Sequence, residues 1–222
     1  MRLVCLSDIH GKISGTDKVL KNAVDSDLVV VAGDITQRGD YGDAENIFSV
    51  FLDAEYKVLA VPGNMDTPGV MEFLNDKGIN IHGKSLIIDK GTFTVGFLGL
   101  GGSSRTPFGT PFELTEPEMK HYLEAAYSNI KNADKIVLIS HAPPKNSSLD
   151  RGFAGMHGGS QAVRDFLEKN KVDLCICGHI HESGGEEIIN GCRCVNVSAF
   201  KNGNYCITDI LSDSINIKRR KI

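Results

Sequence analysis

The stretch DLCICGHIHESG, residues 173–184, decides how this chain is read. It opens apolar and β-favouring, through Leu174, Cys175, Ile176 and Cys177, as a strand covered on both faces would. The apolar run stops at Gly178, and two imidazoles follow one residue apart, His179 and His181. A buried strand that ends by presenting two histidines has something at its carboxyl end for them to hold.

The same grammar recurs along the chain. RLVCL (2–6) runs into SDIHG, with Asp8 and His10. LVVVA (28–32) runs into GDITQRG, with Asp34. KVLAV (57–61) is followed by PGNMD, with Asn64, and KIVLIS (135–140) by His141. FTVGFLG (93–99) reads as a further strand with no such ending. Five apolar strands thus end in oxygen or nitrogen donors. In open α/β sheets ligands bind at the carboxyl ends of strands, so these donors are expected to meet in one crevice.

Helical patterns separate the strands. Residues 43–54 place Ile47, Val50, Phe51 and Ala54 on one face, and residues 116–130 do so with Met119, Tyr122, Leu123, Ala126 and Ile130. Thr115 and Glu118 form a capping-box pattern ahead of the second, and Ser160 caps a third helix over 160–169. The tail (EEIING, CRCVNVSAF, YCITDIL, SINIKRR) reads as short strands joined by turns, an antiparallel meander. The expectation is an α/β fold, two mixed sheets packed face to face with helices outside. The 222 residues, with no internal repeat or linker, suit a single domain over 1–222.

Composition narrows the function. Apolar residues at 41% and charged residues at 23% describe a globular protein. A net charge of −4 argues against a nucleic-acid groove or an anionic-membrane surface, so no membrane partner and no nucleic acid are expected. The apolar run of MRLVCLSDIHG is too short for a signal peptide, which predicts a cytoplasmic protein. The six cysteines are then expected as thiols, with Cys175/Cys177 and Cys192/Cys194 packing as small apolar residues rather than holding zinc. Oligomeric state is not legible.

The donor set carries the chemistry. Imidazole, carboxylate and amide donors without thiolate suit manganese, iron, zinc or cobalt in an open site. Seven donors are too many for one catalytic ion and about right for two. An aspartate, with two free oxygens, is the natural bridge between such ions. Each motif alone is as readily a turn or a hydrogen-bonded histidine; the joint pattern, one motif at the end of each strand, is what points to a metal centre.

The order DxH, GD, GNxD, a later His and GHxH resembles the calcineurin-like metallophosphoesterase family, from Asp8 to about Val197. The resemblance implies a four-layer αββα sandwich and a dinuclear centre of two divalent ions, manganese first, with iron, zinc, nickel or cobalt as alternatives. Carried over residue by residue, it implies that Asp8, His10 and His181 hold one ion, that Asn64, His141 and His179 hold the other, and that Asp34 bridges. Asp34 and Asn64 are thereby catalytic candidates as well.

The sequence departs from the family at one place. The usual motif is GNHD, whose histidine is thought to protonate the leaving group; here it is GNMD, and Met65 has no proton to give. Asp66 is present without an imidazole to orient. Two expectations follow: another group, with His157 in FAGMHGGS as the catalytic candidate, supplies the proton, or esters with good leaving groups are preferred. Arg105, in the irregular loop 99–114, reads as a solvated side chain, with a grip on a phosphate oxygen as the alternative.

The function expected is metal-dependent phosphohydrolysis of a small phosphoester, with a phosphodiester favoured. The alternative is a protein-binding scaffold that keeps the fold with weak or no activity, as the small retromer subunit does. A nuclease would want basic surface and DNA-binding domains that the sequence does not show.

Overall fold

The computed structural model describes residues 1–152 and 155–222. Phe153 and Ala154, within the FAGMHGGS stretch, lie outside the described residues. The first half runs β1 (Arg2–Leu6), α1 (Thr16–Asn22), β2 (Leu28–Ala32), α2 (Tyr41–Leu52), β3 (Val58–Val61), α3 (Pro68–Asp76), β4 (Ser85–Asp89) and β5 (Thr94–Leu100). Then come the short β6 (Ser103–Ser104) and β7 (Glu113–Leu114), α4 (Glu116–Ser128), β8 (Lys135–Ser140), α5 (Gln161–Lys169) and β9 (Leu174–Cys177). The chain closes with β10 (Gly185–Ile189), β11 (Cys192–Asn196), β12 (Asn204–Ile210) and β13 (Ile215–Lys221).

Two large mixed sheets form, in the orders β13-β12-β1-β2-β3 and β10-β11-β9-β8-β5-β4. Side chains alternate across each strand, so every central strand needs cover on both sides. On one side Leu3, Cys5, Val30 and Ala32 of the first sheet meet Val137, Ile139, Leu174 and Ile176 of the second. On the other side Val4, Leu6, Val29 and Val31 pack under Phe48 and Phe51 of α2 and Phe73 of α3. The outer face of the second sheet is covered by Met119 and Leu123 of α4 and Val163 and Phe166 of α5. The result is the expected four-layer αββα sandwich. Burial on both faces is why the central strands read as unbroken apolar runs rather than alternating ones.

The caps at Thr115 and Ser160 form as expected, with Glu118 completing the capping box. The α2 helix begins two residues before the predicted 43–54 and buries Ala44, Ile47, Phe48 and Phe51. Asp40 is the reason: its carboxylate caps the Gly42 and Asp43 amides and starts the helix early, leaving Ala54 exposed beyond its end.

The tail corrects the expectation of one meander. β10 and β11 pair antiparallel, but β11 then pairs parallel with β9, while β12 pairs antiparallel with β1 in the other sheet. The chain crosses between layers after Asn196. Local alternation cannot announce that crossing, because both destinations bury one face equally well. All six cysteines are free and buried. Among the described residues no helix is long and apolar enough to cross a membrane.

Candidate metal centre

The donors do not come from one sheet. β1, β2 and β3 deliver Asp8, His10, Asp34 and Asn64 from the first sheet, while β8 and β9 deliver His141, His179 and His181 from the second. The crevice lies at the carboxyl ends of strands from both layers, and the packing of the two sheets brings its halves together.

Parallel pairing extends past the strand ends and sets the loops. The Asp8 amide donates to Gly33 O at 2.9 Å, the His10 amide to Asp34 O at 2.9 Å and the Gly178 amide to His141 O at 3.1 Å. His141 Nδ1 lies 2.8 Å from Ala32 O, so this buried imidazole also ties the sheets together. That contact leaves Nε2 facing the crevice, 2.9 Å from Asn64 Oδ1 and 3.4 Å from Asp34 Oδ1.

Asp34 stands between the two histidine groups. Its Oδ2 is 3.6 Å from His10 Nε2, while its Oδ1 faces His141 and accepts the Met65 amide at 2.8 Å. Asp8 Oδ1 lies 3.1 Å from His181 Nε2 and 3.9 Å from His10 Nε2; its Oδ2 accepts the His179 amide at 3.0 Å. Two donor triads have all their ligand atoms within 4.8 Å of one another: Asp8, His10 and His181, and Asp8, Asp34 and His141. Asp8 thus belongs to both. The His179 ring packs edge-on to His141 at 5.0 Å, outside either triad.

These residues fit divalent cations. Asp8 and Asp34 are buried, and among the described residues no lysine or arginine pairs with either. Buried carboxylates without a counter-charge are costly, and a bound cation removes the cost. His10 Nδ1 is buried with no hydrogen-bond partner among the described residues, and His10 Nε2 lies 3.2 Å from His181 Nε2, a pair of ring nitrogens that a shared cation would satisfy.

The electrostatics agree. Burial pushes the Asp34 carboxyl up to about 7, helped by the charges of Asp8 and Asp66 and opposed by His141. Burial also opposes ionisation of Asp8, but the hydrogen bond from His181 and the charge of His141 outweigh it and hold its pKa well below the ordinary range. Burial lowers His10 to about 4 and His179 to about 3, so both imidazoles are neutral and ready to ligate.

The backbone is strained where the donors sit. Asp8, His10, Asp34 and His179 have φ of 54°, 48°, 49° and 67°, the left-handed region that residues with a Cβ avoid. Strain of this kind collects at functional sites and is held by the surrounding fold. Two glycines permit the close approach: a Cβ on Gly63 would collide with Asp34, and one on Gly178 with Ser7 and Asp8.

The seven residues that the sequence named lie around one crevice, five of them in the two donor triads, but the sequence did not show what supports them. Asp66 is buried and accepts from the amides of Gly63 (2.7 Å), Ile35 (3.1 Å) and Thr36 (2.8 Å) and from Thr36 Oγ1 (2.9 Å). It therefore braces the Asn64 and Asp34 loops against each other. His157 makes no hydrogen bond to any of the seven donors; its Nδ1 lies 2.7 Å from Asp150 Oδ1. Asp150, fully buried, had no periodic or motif signal beyond lying seven residues before a histidine. Arg105 is exposed. His82 accepts the Gly101 amide at 2.9 Å and packs on Phe112 and Tyr122, anchoring the start of the irregular loop.

A polar cleft of about 330 Å³ opens beside His10, between Thr36, Gln37, Asp43 and Asn46. A larger and more apolar one, about 570 Å³, lies beside Asp66 between Pro68, Met71, Pro111 and Phe112.

Comparison with known proteins gives this geometry its context. Residues 1–183 match the family described as calcineurin-like phosphoesterase. An uncharacterised protein of Methanocaldococcus jannaschii is 38% identical over 206 residues, covering 89% of this chain and 88% of that one. A solved structure from Thermus thermophilus superposes with a TM-score of 0.75 at 17% identity, covering 98% of this chain and 97% of that one. A dimetal phosphatase from Danio rerio superposes with a TM-score of 0.68 at 14% identity, covering 100% of this chain and 96% of that one. At those identities the two structural likenesses concern the fold.

Proposed function

The chain belongs to the calcineurin-like phosphoesterase family, and within it we propose a phosphodiesterase that works with two divalent cations, manganese first among them. The observation that carries this reading is the position of Asp34, with one carboxylate oxygen toward His10 and the other toward His141. There it would bridge an ion held by Asp8, His10 and His181 and one held by Asn64, His141 and His179. When bound, such ions supply Lewis acidity toward a phosphoryl oxygen and lower the pKa of water that attacks phosphorus.

The chain's own residues do the rest. The neutral imidazoles of His10 and His179 present lone pairs rather than protons. Asp66 and the Met65 amide hold Asn64 and Asp34 in register, so the donors need little rearrangement on loading. Two cations against the carboxylates of Asp8 and Asp34 leave a local positive charge that draws an anionic ester despite the net −4. Met65 bears on the choice of ester: with no imidazole at this position, either another group protonates the leaving oxygen or esters whose leaving oxygen departs easily are favoured.

The test is to strip the protein of metal, refill it with Mn²⁺ and compare bis-p-nitrophenyl phosphate with p-nitrophenyl phosphate, with Asp34→Asn as control. Diester cleavage that requires both the metal and Asp34 is expected. No cleavage of either ester with any divalent metal, in protein that still binds ions, would put the protein-binding scaffold in its place.

A further inference from the structure

Asp150 and His157 form a second acid–histidine pair that the metal centre does not use. Asp150 is fully buried, and its Oδ2 accepts the amides of Asn146 at 3.1 Å and Gly159 at 3.2 Å. Its Oδ1 accepts the Ser147 amide at 3.0 Å and lies 2.7 Å from His157 Nδ1. No lysine or arginine among the described residues pairs with it, so backbone amides and one imidazole hold this carboxylate. The His157 side chain is 34% exposed, and its Nε2 has no partner among the described residues.

The pair is fastened to the histidine turn of the metal centre. Fully buried Asn196 donates through Nδ2 to Leu149 O and to Ile180 O, each at 2.9 Å, and so joins the residue before Asp150 to the residue between His179 and His181. Ser183 Oγ donates to Arg151 O at 2.5 Å. Next to His157, a Cβ on Gly158 would stand 2.7 Å from Ile180 Cδ1, so the backbone that carries the imidazole lies against that turn. Met65 leaves the usual proton donor's place without a proton, and the oxygens of Asp66 are taken up by Gly63, Ile35 and Thr36.

We infer that Asp150 and His157 form the proton-donating pair of this site, His157 as the general acid and Asp150 as the positioning residue, with Asn196 setting their distance from the metal ligands. The inference rests on the phosphodiesterase reading. The step balances simply. A water oxygen forms the new bond to phosphorus as the bond to the leaving oxygen breaks. That oxygen keeps the bonding electron pair and takes the proton from His157 Nε2. The doubly protonated imidazole is thereby left neutral, its Nδ1–H still donated to Asp150, and regains its Nε2 proton from solvent, to which the attacking water gives up one proton.

The test is a series of aryl methyl phosphodiesters spanning leaving groups from p-nitrophenol to phenol, cleaved by the Mn²⁺-loaded wild type, His157→Gln and Asp150→Asn. His157→Gln changes one partly exposed side chain, so it keeps the result interpretable if Asp150→Asn unfolds the loop. The expected result is a loss that grows with leaving-group pKa, modest for p-nitrophenol and on the order of 10²-fold or more for phenol. Asp150→Asn moves the slope the same way, and Asp150→Glu restores part of it. In the metal-free protein, ¹⁵N spectra should show the Nδ1–H tautomer of His157, lost in Asp150→Asn. Equal losses across the series, with the wild type active, would overturn the pair alone. A wild type that cleaves no diester would overturn the phosphodiesterase reading and the pair together.

Discussion

The ring nitrogens of His10 and His181 face each other at 3.2 Å, their rings nearly perpendicular, across the layers that carry them. A cation between them would take a lone pair from each ring nitrogen and satisfy both at once. His10→Ala and His181→Ala should therefore each lose one of two bound equivalents of metal, read by elemental analysis after dialysis against Mn²⁺. Retention of both equivalents by either variant would disprove the shared-ion arrangement.

Gly178 touches the same group from behind. A Cβ there would collide with Ser7 Oγ and Asp8 Oδ2, and both belong to a packed core with no room to retreat. Gly178→Ala is expected to destabilise the fold by about 1–3 kcal/mol, the usual range for overpacking, and to weaken metal binding by displacing Asp8. Thermal melts and metal titration would measure the two effects separately.

Asp66 accepts four hydrogen bonds, three from backbone amides and one from the Thr36 hydroxyl. An amide in its place turns an acceptor into a donor that faces backbone donors. Asp66→Asn should lower stability by about 3 kcal/mol, the scale for buried donors left unsatisfied. A melting temperature unchanged within error would show that the brace is dispensable.

Met65→His offers an imidazole at the family's usual position, beside an Asp66 whose oxygens are already engaged. The monoester-to-diester rate ratio should rise, but by less than the roughly 10²–10⁴-fold that a well-oriented general acid supplies. An unchanged ratio would sink the account of Met65 given above.

The pH response of the metal-free protein has opposing parts. Asp34, raised to about 7, keeps a proton in the folded state that the unfolded chain releases near pH ~4. Its contribution to stability is full below about pH 4 and is lost as pH rises toward 7. His10, near 4, and His179, near 3, act in the opposite sense, since the unfolded chain protonates them first as pH falls below about 6.5. The melting-temperature difference between metal-free Asp34→Asn and wild type should therefore move in favour of the variant between pH ~4 and ~7. A difference that stays flat across that window would mean that Asp34 is not raised.

The donors were legible because each follows an apolar strand by one to four residues, and a strand's composition is a local property. Sheet membership was not. RLVCL and DLCIC look alike as strings, yet β1 and β9 lie in different layers, and the chain's crossing after Asn196 leaves no trace in its own alternation.

By itself, then, the sequence determined the central strands, the capped helices and which side chains stand at the strand ends, since propensity, periodicity and capping act within a few residues. Tertiary structure alone decided that Asp34 lies between His10 and His141, that Asp66 is spent on backbone amides, and that Asp150 holds His157. Those relationships join segments that meet only when two sheets close on each other, and closure depends on the fit of whole layers rather than on any short stretch.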